Sequence, residues 1–408
     1  MKIRIIIFIV PVVLLSLALA GGSSLLLRFF FVSILVPLAA YLWTVFGVRG
    51  ISVQAMESPT HCQVGEQFEQ EIEIFNKSRM PKIWLKVEGN IDMPGPHSAT
   101  ILNLLPRSYY SWQTNVYCQR RGRHQVGTVV ATTTDFFGLF SRQRKLGRGH
   151  SILVYPATFD LPLFKLTSFS DFGRGSSYQS FSQLSTNAST VREFATGDSL
   201  HHIHWPSTAH TGKLMVKVFD ADRSYGGSKT IWVVVDMEAV PQAGQDDETT
   251  EEYGITVAAS LVRKYIDSGM RVGAMASGDG NLIFQPERGE DHLWRILEGL
   301  AVIKAAGHIP MGQLIYEQMG QFRDNASVII ITPSVTGHLL DVIRQLRSRV
   351  DAVAVVLLDA ASFGGAVTTV DQAHNLNLLG VKVFIVRRGD DLARVLNERL
   401  SLARATNI

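Results

Sequence analysis

Two apolar blocks open the chain. Residues 5–20 carry one polar side chain, Ser16, and residues 25–48 carry one charge, Arg28, near their start. Between them Gly21-Gly22-Ser23-Ser24 is a turn signal. Each block approaches the ~20 residues that a bilayer crossing needs. The pattern therefore predicts an N-terminal transmembrane helical hairpin over residues 1–50. From residue 51 the period becomes two. Phe68, Gln70, Ile72 and Ile74 alternate with Glu69, Glu71 and Glu73, as in a half-buried strand. Residues 83–87, 109–117, 124–133 and 151–155 read as further strands, and together they predict a small antiparallel β-sandwich over 51–160. Residues 161–228 read as a linker that carries a distinctive motif. From 229 to 408 near-continuous apolar strands (230–235, 271–276, 328–331, 352–358, 381–386) interleave with helical stretches (251–267, 292–300, 309–322, 336–348, 370–379, 391–402). Strands apolar on both faces, separated by helices, predict a parallel sheet covered on both sides, an α/β domain of Rossmann type.

Charge changes the picture little. A net charge of +3 on 408 residues, with no basic stripe interleaved with aromatics, gives no reason to expect a nucleic-acid partner. The expected partner at the N-terminus is the lipid bilayer. Lys2 and Arg4 precede the first apolar block, and Arg49, Lys77, Arg79 and Lys82 follow the second. By the positive-inside rule both ends lie in the cytoplasm, with the body on the inner face of the cytoplasmic membrane. A signal peptide ending at Ala18-Leu19-Ala20 is the rival reading of the first block. It leaves the body on the same side. Two cysteines, Cys62 and Cys118, could pair across a β-domain, but read most simply as free thiols in a reducing compartment. Arg120-Arg121-Gly122-Arg123 reads as a solvated hairpin rim. Phe136, Phe137 and Phe140 read as an apolar plug closing one end of the sandwich, with Gly138 permitting the bend.

The linker motif holds the densest candidate chemistry: Arg192, Glu193, Gly197, Asp198, His204, Trp205 and Lys213, with His201, His202 and His210 nearby. Histidines invite a metal reading. Adjacent His201 and His202 diverge on any regular element, however, and no cysteine or carboxylate completes a ligand spacing. The plainer expectation is structural: Gly197-Asp198 turns the chain, while Ile203 and Trp205 pack against the next domain. A hydrolase built from His204, His210 and Asp198 is the least favoured expectation. No catalytic residue is assigned.

Two apolar N-terminal helices, Arg-Arg-Gly-Arg with Asp-Phe-Phe-Gly-Leu-Phe, and Arg-Glu-Phe…Gly-Asp…Ile-His-Trp…Ala…Gly-Lys-Leu-Met-Val-Lys together resemble the bacterial domain-of-unknown-function 58 proteins. The resemblance implies a C-terminal von Willebrand factor A-like domain. It also implies a partner in an ATPase-linked membrane system, a MoxR-type AAA+ ATPase with other membrane-complex subunits. It implies no enzymatic activity. Pro206 and His210 stand where relatives often carry basic residues.

In von Willebrand A domains a divalent cation sits at the carboxyl ends of the strands, held by Asp-x-Ser-x-Ser and by a Thr and an Asp from later loops. Asp236 matches the first ligand here. Glu238 and Val240 occupy the serine positions, and the later loop reads Thr332-Pro333-Ser334 without the Asp. Mg²⁺ wants about six oxygens, so Asp236 and Glu238 form a degenerate remnant. The expectation is no cofactor, with weak Mg²⁺ binding through Glu238 as the alternative. The acidic stretch 242–252 lies near the same end and reads as a solvated loop. The chain is thus expected to be a non-catalytic, membrane-anchored scaffold or adaptor. A metal-dependent protein-binding module centred on Asp236 is the alternative.

Overall fold

A computed structural model of the chain describes residues 2–22, 24–55, 59, 61–90, 99–164, 166, 188–193, 203–219, 230–323, 325–366 and 369–397. The chain divides into two compact units, Met1–Pro156 and Ala157–Ile408.

In the first unit the apolar blocks become α1 (Lys2–Gly21) and α2 (Ser24–Gly47). Gly22 turns between them at φ 63°, and its N–H reaches the Ala18 carbonyl at 3.0 Å. Among the described helices α2 alone is long and apolar enough to cross a membrane.

Ten strands follow among the described residues: β1 (Ile51–Ala55), β2 (His61–Gln63), β3 (Gln67–Asn76), β4 (Lys82–Asn90), β5 (Ala99–Leu104), β6 (Tyr109–Tyr117), β7 (Gly122–Val126), β8 (Thr128–Thr134), β9 (Ser141–Leu146) and β10 (His150–Tyr155). They make three sheets, ordered β1-β3-β6, β5-β4-β8-β9 and β2-β10-β7. Ile72 and Ile74 from β3, Leu85 and Val87 from β4, and Val129 and Ala131 from β8 pack as one core, because alternation sends every second residue inward. The expected strand 124–133 is two strands, since Gly127 adopts φ 85° and breaks the run. Not every pair is antiparallel: β2 and β10 run parallel.

Three further expectations fail in this unit. Arg121 is buried, so the arginine run is not solvated throughout, although Arg123 is exposed. Phe136 and Phe137 do not plug the sandwich; they are exposed at the tip of the β8–β9 hairpin. Cys62 and Cys118 are joined in a disulfide, because β2 and the end of β6 bring their Cα atoms to 7.0 Å. Spacing in sequence gave no warning of that approach, since the two residues stand 56 apart.

In the second unit residues 157–164 run along the α/β body. Phe159 N–H donates to Ser260 Oγ at 3.1 Å, Leu163 N–H to Asn397 Oδ1 at 3.0 Å, and the Phe164 ring lies 4.8 Å from Phe384. A two-stranded ribbon, β11 (Ala188–Glu193) with β12 (Met215–Phe219), flanks the short helix α3 (Trp205–Thr211).

The main sheet comprises β13 (Thr230–Val235), β16 (Arg271–Ser277), β17 (Asn281–Glu287), β18 (Ala326–Thr332), β19 (Ala352–Leu358) and β20 (Lys382–Val386), ordered β17-β16-β13-β18-β19-β20. All neighbours are parallel except β17, which pairs antiparallel with β16 across a turn at residues 278–280. Between β13 and β16 lie the two-residue strands β14 (Gly244–Gln245) and β15 (Glu248–Thr249) and the helix α4 (Thr250–Asp267). Then follow α5 (Glu290–Val302), α6 (Met311–Glu317), α7 (Gly337–Arg347), α8 (Val370–Leu378) and α9 (Leu392–Asn397). The expected helix 309–322 ends at Glu317 and gives way to a 3₁₀ turn, Met319–Gln321.

The strands are apolar throughout because both faces are covered. Trp232, Val234, Val328, Ile330, Val353 and Val355 pack beneath side chains of α6, α7 and α8. On the other face Gly254 of α4 sits so close to Leu358, Ile331 and Val235 that a β-carbon there would lie 3.3–3.9 Å from all three. The N-terminus of α4 is set by Thr249, whose hydroxyl accepts the Glu252 N–H at 3.1 Å.

Candidate functional site

The order of the main sheet reverses at β13: β16 lies on one side and β18 on the other. Such switch points open a crevice at the carboxyl ends of the strands. Asp236 stands there, immediately after five consecutive buried residues of β13. Its N–H continues the ladder to the Ile331 carbonyl at 2.9 Å. The carboxylate is 5% exposed. Thr332 Oγ1, at the end of β18, lies 2.7 Å from Asp236 Oδ2, and the Glu238 N–H donates to Oδ1 at 3.1 Å. Gln242 closes the far side: its Nε2 donates to the Asp236 carbonyl at 2.9 Å, and its Oε1 accepts from the fully buried Thr250 hydroxyl at 2.6 Å.

Burial pushes the Asp236 carboxyl up to about 6. The hydrogen bonds from Thr332 and the Glu238 N–H pull the other way, and the Glu238 charge adds to the rise. The Thr332 hydroxyl has two acceptors, Asp236 Oδ2 and the Ser334 carbonyl, both at 2.7 Å, and it also accepts the Ser334 N–H at 3.1 Å. The hydroxyl faces the Asp236 carboxylate and the Ser334 carbonyl at once, so the two acceptors compete for its hydrogen.

The loop after β13 is clamped. Gly307 N–H donates to the Met237 carbonyl at 2.9 Å, and the Ala239 N–H returns to Gly307 O at 3.0 Å. A β-carbon at Gly307 would come within 2.2 Å of the Ser277 carbonyl, so only glycine fits. Sequence inspection singled out neither Gly307 nor Gln242. The isolated glycine ahead of His308 and Ile309 was the one available signal for the former. Val240 is exposed and offers no ligand atom, while Glu238 is half-buried. Among the described residues no three His, Cys, Asp or Glu side chains converge as metal-site ligands would. If a cation binds at this end, Asp236, Glu238 and Thr332 are the oxygens the loops supply, and Asp236 must give up its bond to Thr332. The acidic stretch is not a loose loop: β14 and β15 form a tight hairpin with Asp246 at φ 56°, and Glu248 meets Arg388 at 2.5 Å.

The motif residues lie elsewhere in this unit. Arg192 and Glu193 end β11, opposite Val216 and Met215 of β12. Gly197, Asp198, His201 and His202 lie outside the described residues. His204 precedes α3, its Nδ1 2.7 Å from Ser207 Oγ, a contact within one helical turn. His210 is exposed in the last turn of the same helix and Lys213 lies just past it, also exposed. Ile203 is buried and bridges to Val216, as a packing role requires. Trp205 does not pack inward; it is 66% exposed.

Residues 190–370 match the family model described as "Protein of unknown function DUF58", which supports the assignment suggested by the motif. A curated relative, "Uncharacterized protein YeaD" of Bacillus subtilis (strain 168), is 23% identical over 241 residues, 59% of this chain and 58% of that protein. The chain thus spans less than two thirds of that relative. Among solved structures, the CARDB domain of the PF1109 protein from Pyrococcus furiosus is similar at 17% identity with a TM-score of 0.19, covering 26% of this chain and 91% of that one. The beta-glucosidase from Listeria innocua matches at 12% identity with a TM-score of 0.18, covering 26% and 16%. Scores this low carry no functional argument.

Proposed function

We propose that the chain is a non-catalytic, membrane-anchored scaffold whose α/β body is of the von Willebrand factor A type and recruits a protein partner, a MoxR-type AAA+ ATPase with other membrane-complex subunits. The single observation that carries this reading is the state of the strand-end crevice. Asp236, at the switch point, is sealed by Thr332, the Glu238 N–H and Gln242. The site is built to hold a shape. The local bond between His204 and Ser207, with His210 exposed at the other end of α3, also favours a binding role over hydrolysis.

The anchor is α2, and the charge asymmetry around the apolar blocks favours an inner-membrane location with the body in the cytoplasm. The Cys62–Cys118 pair argues the other way, because disulfides persist in oxidising compartments. The experiment for the scaffold role is affinity capture of the full chain from detergent-solubilised native membranes. Co-purification of an AAA+ ATPase supports it; capture of no ATPase and no membrane-complex subunit sinks it.

A second reading, a metal-dependent binding module, is favoured by the Asp236–Thr332 placement at the strand ends. Titration calorimetry with Mg²⁺, Mn²⁺ and Ca²⁺ tests it. Heats that persist unchanged in Asp236→Ala remove it.

A further inference from the structure

Trp84 departs from its surroundings in three ways. It sits in β4 at φ 56°, a left-handed conformation that strains a non-glycine residue. The pairing of β4 with β5 shifts register between Lys82 and Leu85, so a bulge turns the indole outward. There it is 54% exposed and stacks edge-on against Phe136, 5.3 Å away. A strained, exposed tryptophan needs a use.

Its neighbours belong to α2. Phe136 lies 5.1 Å from Trp43, and Phe140 lies 5.7 Å from Tyr41. Those helix positions stand four and six residues before Gly47, roughly 6–9 Å back from the helix end. The hairpin tip therefore reaches alongside the last turns of the helix. The seat is fixed. Gly47 approaches Thr133 so closely that a β-carbon would meet its hydroxyl at 2.7 Å, and Lys82 Nζ caps the Phe46 carbonyl at 2.5 Å. The tip is rigid as well, because Asp135 accepts the Phe137 N–H at 3.0 Å and the Phe140 N–H at 2.6 Å. Phe137, at the apex, is 65% exposed.

Behind the aromatic tip the chemistry changes sign. β9 leads away with Arg142, Arg144 and Lys145 exposed along it. Its outer edge and β1, which begins just after α2, border a groove of about 750 Å³. Lys77, Arg144, Lys145 and Arg148 line that groove with no carboxylate among its lining residues. Aromatics at the helix-end level with cations just beyond them match the order of acyl boundary and phosphate in a bilayer.

We propose that Phe136, Phe137 and Trp84 form a second membrane contact that seats the β-sandwich on the bilayer beside α2, with the basic edge of β9 against anionic phospholipid headgroups. The proposal rests on the reading of α2 as a membrane anchor, and its test separates the two. The full chain carrying Phe137→Cys, Val36→Cys (mid-α2) or Gln67→Cys (the far end of β3) is labelled with an environment-sensitive fluorophore. Each is reconstituted in phosphatidylcholine–phosphatidylglycerol vesicles with nitroxide placed near the headgroup or near the chain end. Cys62 and Cys118 are buried, and the unsubstituted chain gives the background. The expected result is quenching of the Phe137 probe by the shallow nitroxide, of the Val36 probe by the deep one, and of the Gln67 probe by neither. Quenching at Val36 with none at Phe137 overturns the second contact and leaves the anchor standing. No quenching at Val36 overturns the anchor and the contact with it. Arg144→Gln with Lys145→Gln should lower Phe137 quenching in mixed vesicles but not in pure phosphatidylcholine; equal quenching in both overturns the headgroup part.

Discussion

Replacing Asp236 by Asn tests the buried carboxylate directly. Its folded pKa of about 6 stands above the ordinary value of 3.8. Between those two values the folded chain holds a proton that the unfolded chain has lost. Stability therefore falls as pH rises through that window and is flat above it. The gap of about two units, at ~1.4 kcal/mol each, makes the loss roughly 3 kcal/mol. Asn keeps an oxygen for Thr332 and cannot ionise, so the variant should lack this slope whatever its absolute stability. The assay is hydrogen–deuterium exchange of β13 and β18 peptides in the full chain in detergent micelles from pH 4 to 7.5, corrected for intrinsic exchange rates. The unsubstituted chain should lose protection relative to Asp236→Asn as pH rises, by about 3 kcal/mol in opening free energy. Parallel profiles, or a gain in the unsubstituted chain, would refute the desolvation argument.

Other outcomes follow from single contacts. Thr332→Val keeps the shape but removes the hydroxyl between Asp236 and Ser334, and should cost about 1–3 kcal/mol by the same exchange measurement at pH 7. At position 84, glycine should be more stable than alanine by about 1 kcal/mol in thermal melts, because only alanine pays for positive φ; equal melts would mean that the strand relaxes. Asp135→Ala should speed exchange at residues 135–140 while the strands of the main sheet stay protected. Acid trapping of whole cells followed by alkylation should find Cys62 and Cys118 reduced if the body is cytoplasmic. Recovery of the oxidised pair would place the sandwich in an oxidising compartment.

The α/β unit was legible because its code is redundant. Runs such as Ile231–Val235 and Val353–Leu358 are apolar at every position, which few folds other than a covered parallel sheet can absorb. Helix stops were less legible: 309–322 is one apolar-periodic stretch, yet it breaks after Glu317. In the sandwich, alternation identified β3, and β4, β6 and β10 were also read as strands, but β1, β2, β5 and β9 escaped notice. β9 reads Ser-Arg-Gln-Arg-Lys-Leu, a polar edge strand with almost nothing to bury. The aromatic tip was noticed and misplaced, since sequence alone does not say that a hairpin sits against a helix ninety residues earlier. At the crevice Asp236 and Thr332 were named, but their direct bond was not foreseen, because it depends on strand order, and so were neither Gln242 nor Gly307.

The central claim is that the chain works while held at a membrane by α2. Alkaline carbonate extraction of native membranes tests it most directly. The full chain should stay in the pellet and leave it only with detergent, while a chain lacking residues 2–47 should appear in the supernatant. Full-length chain recovered in the carbonate supernatant would contradict the account.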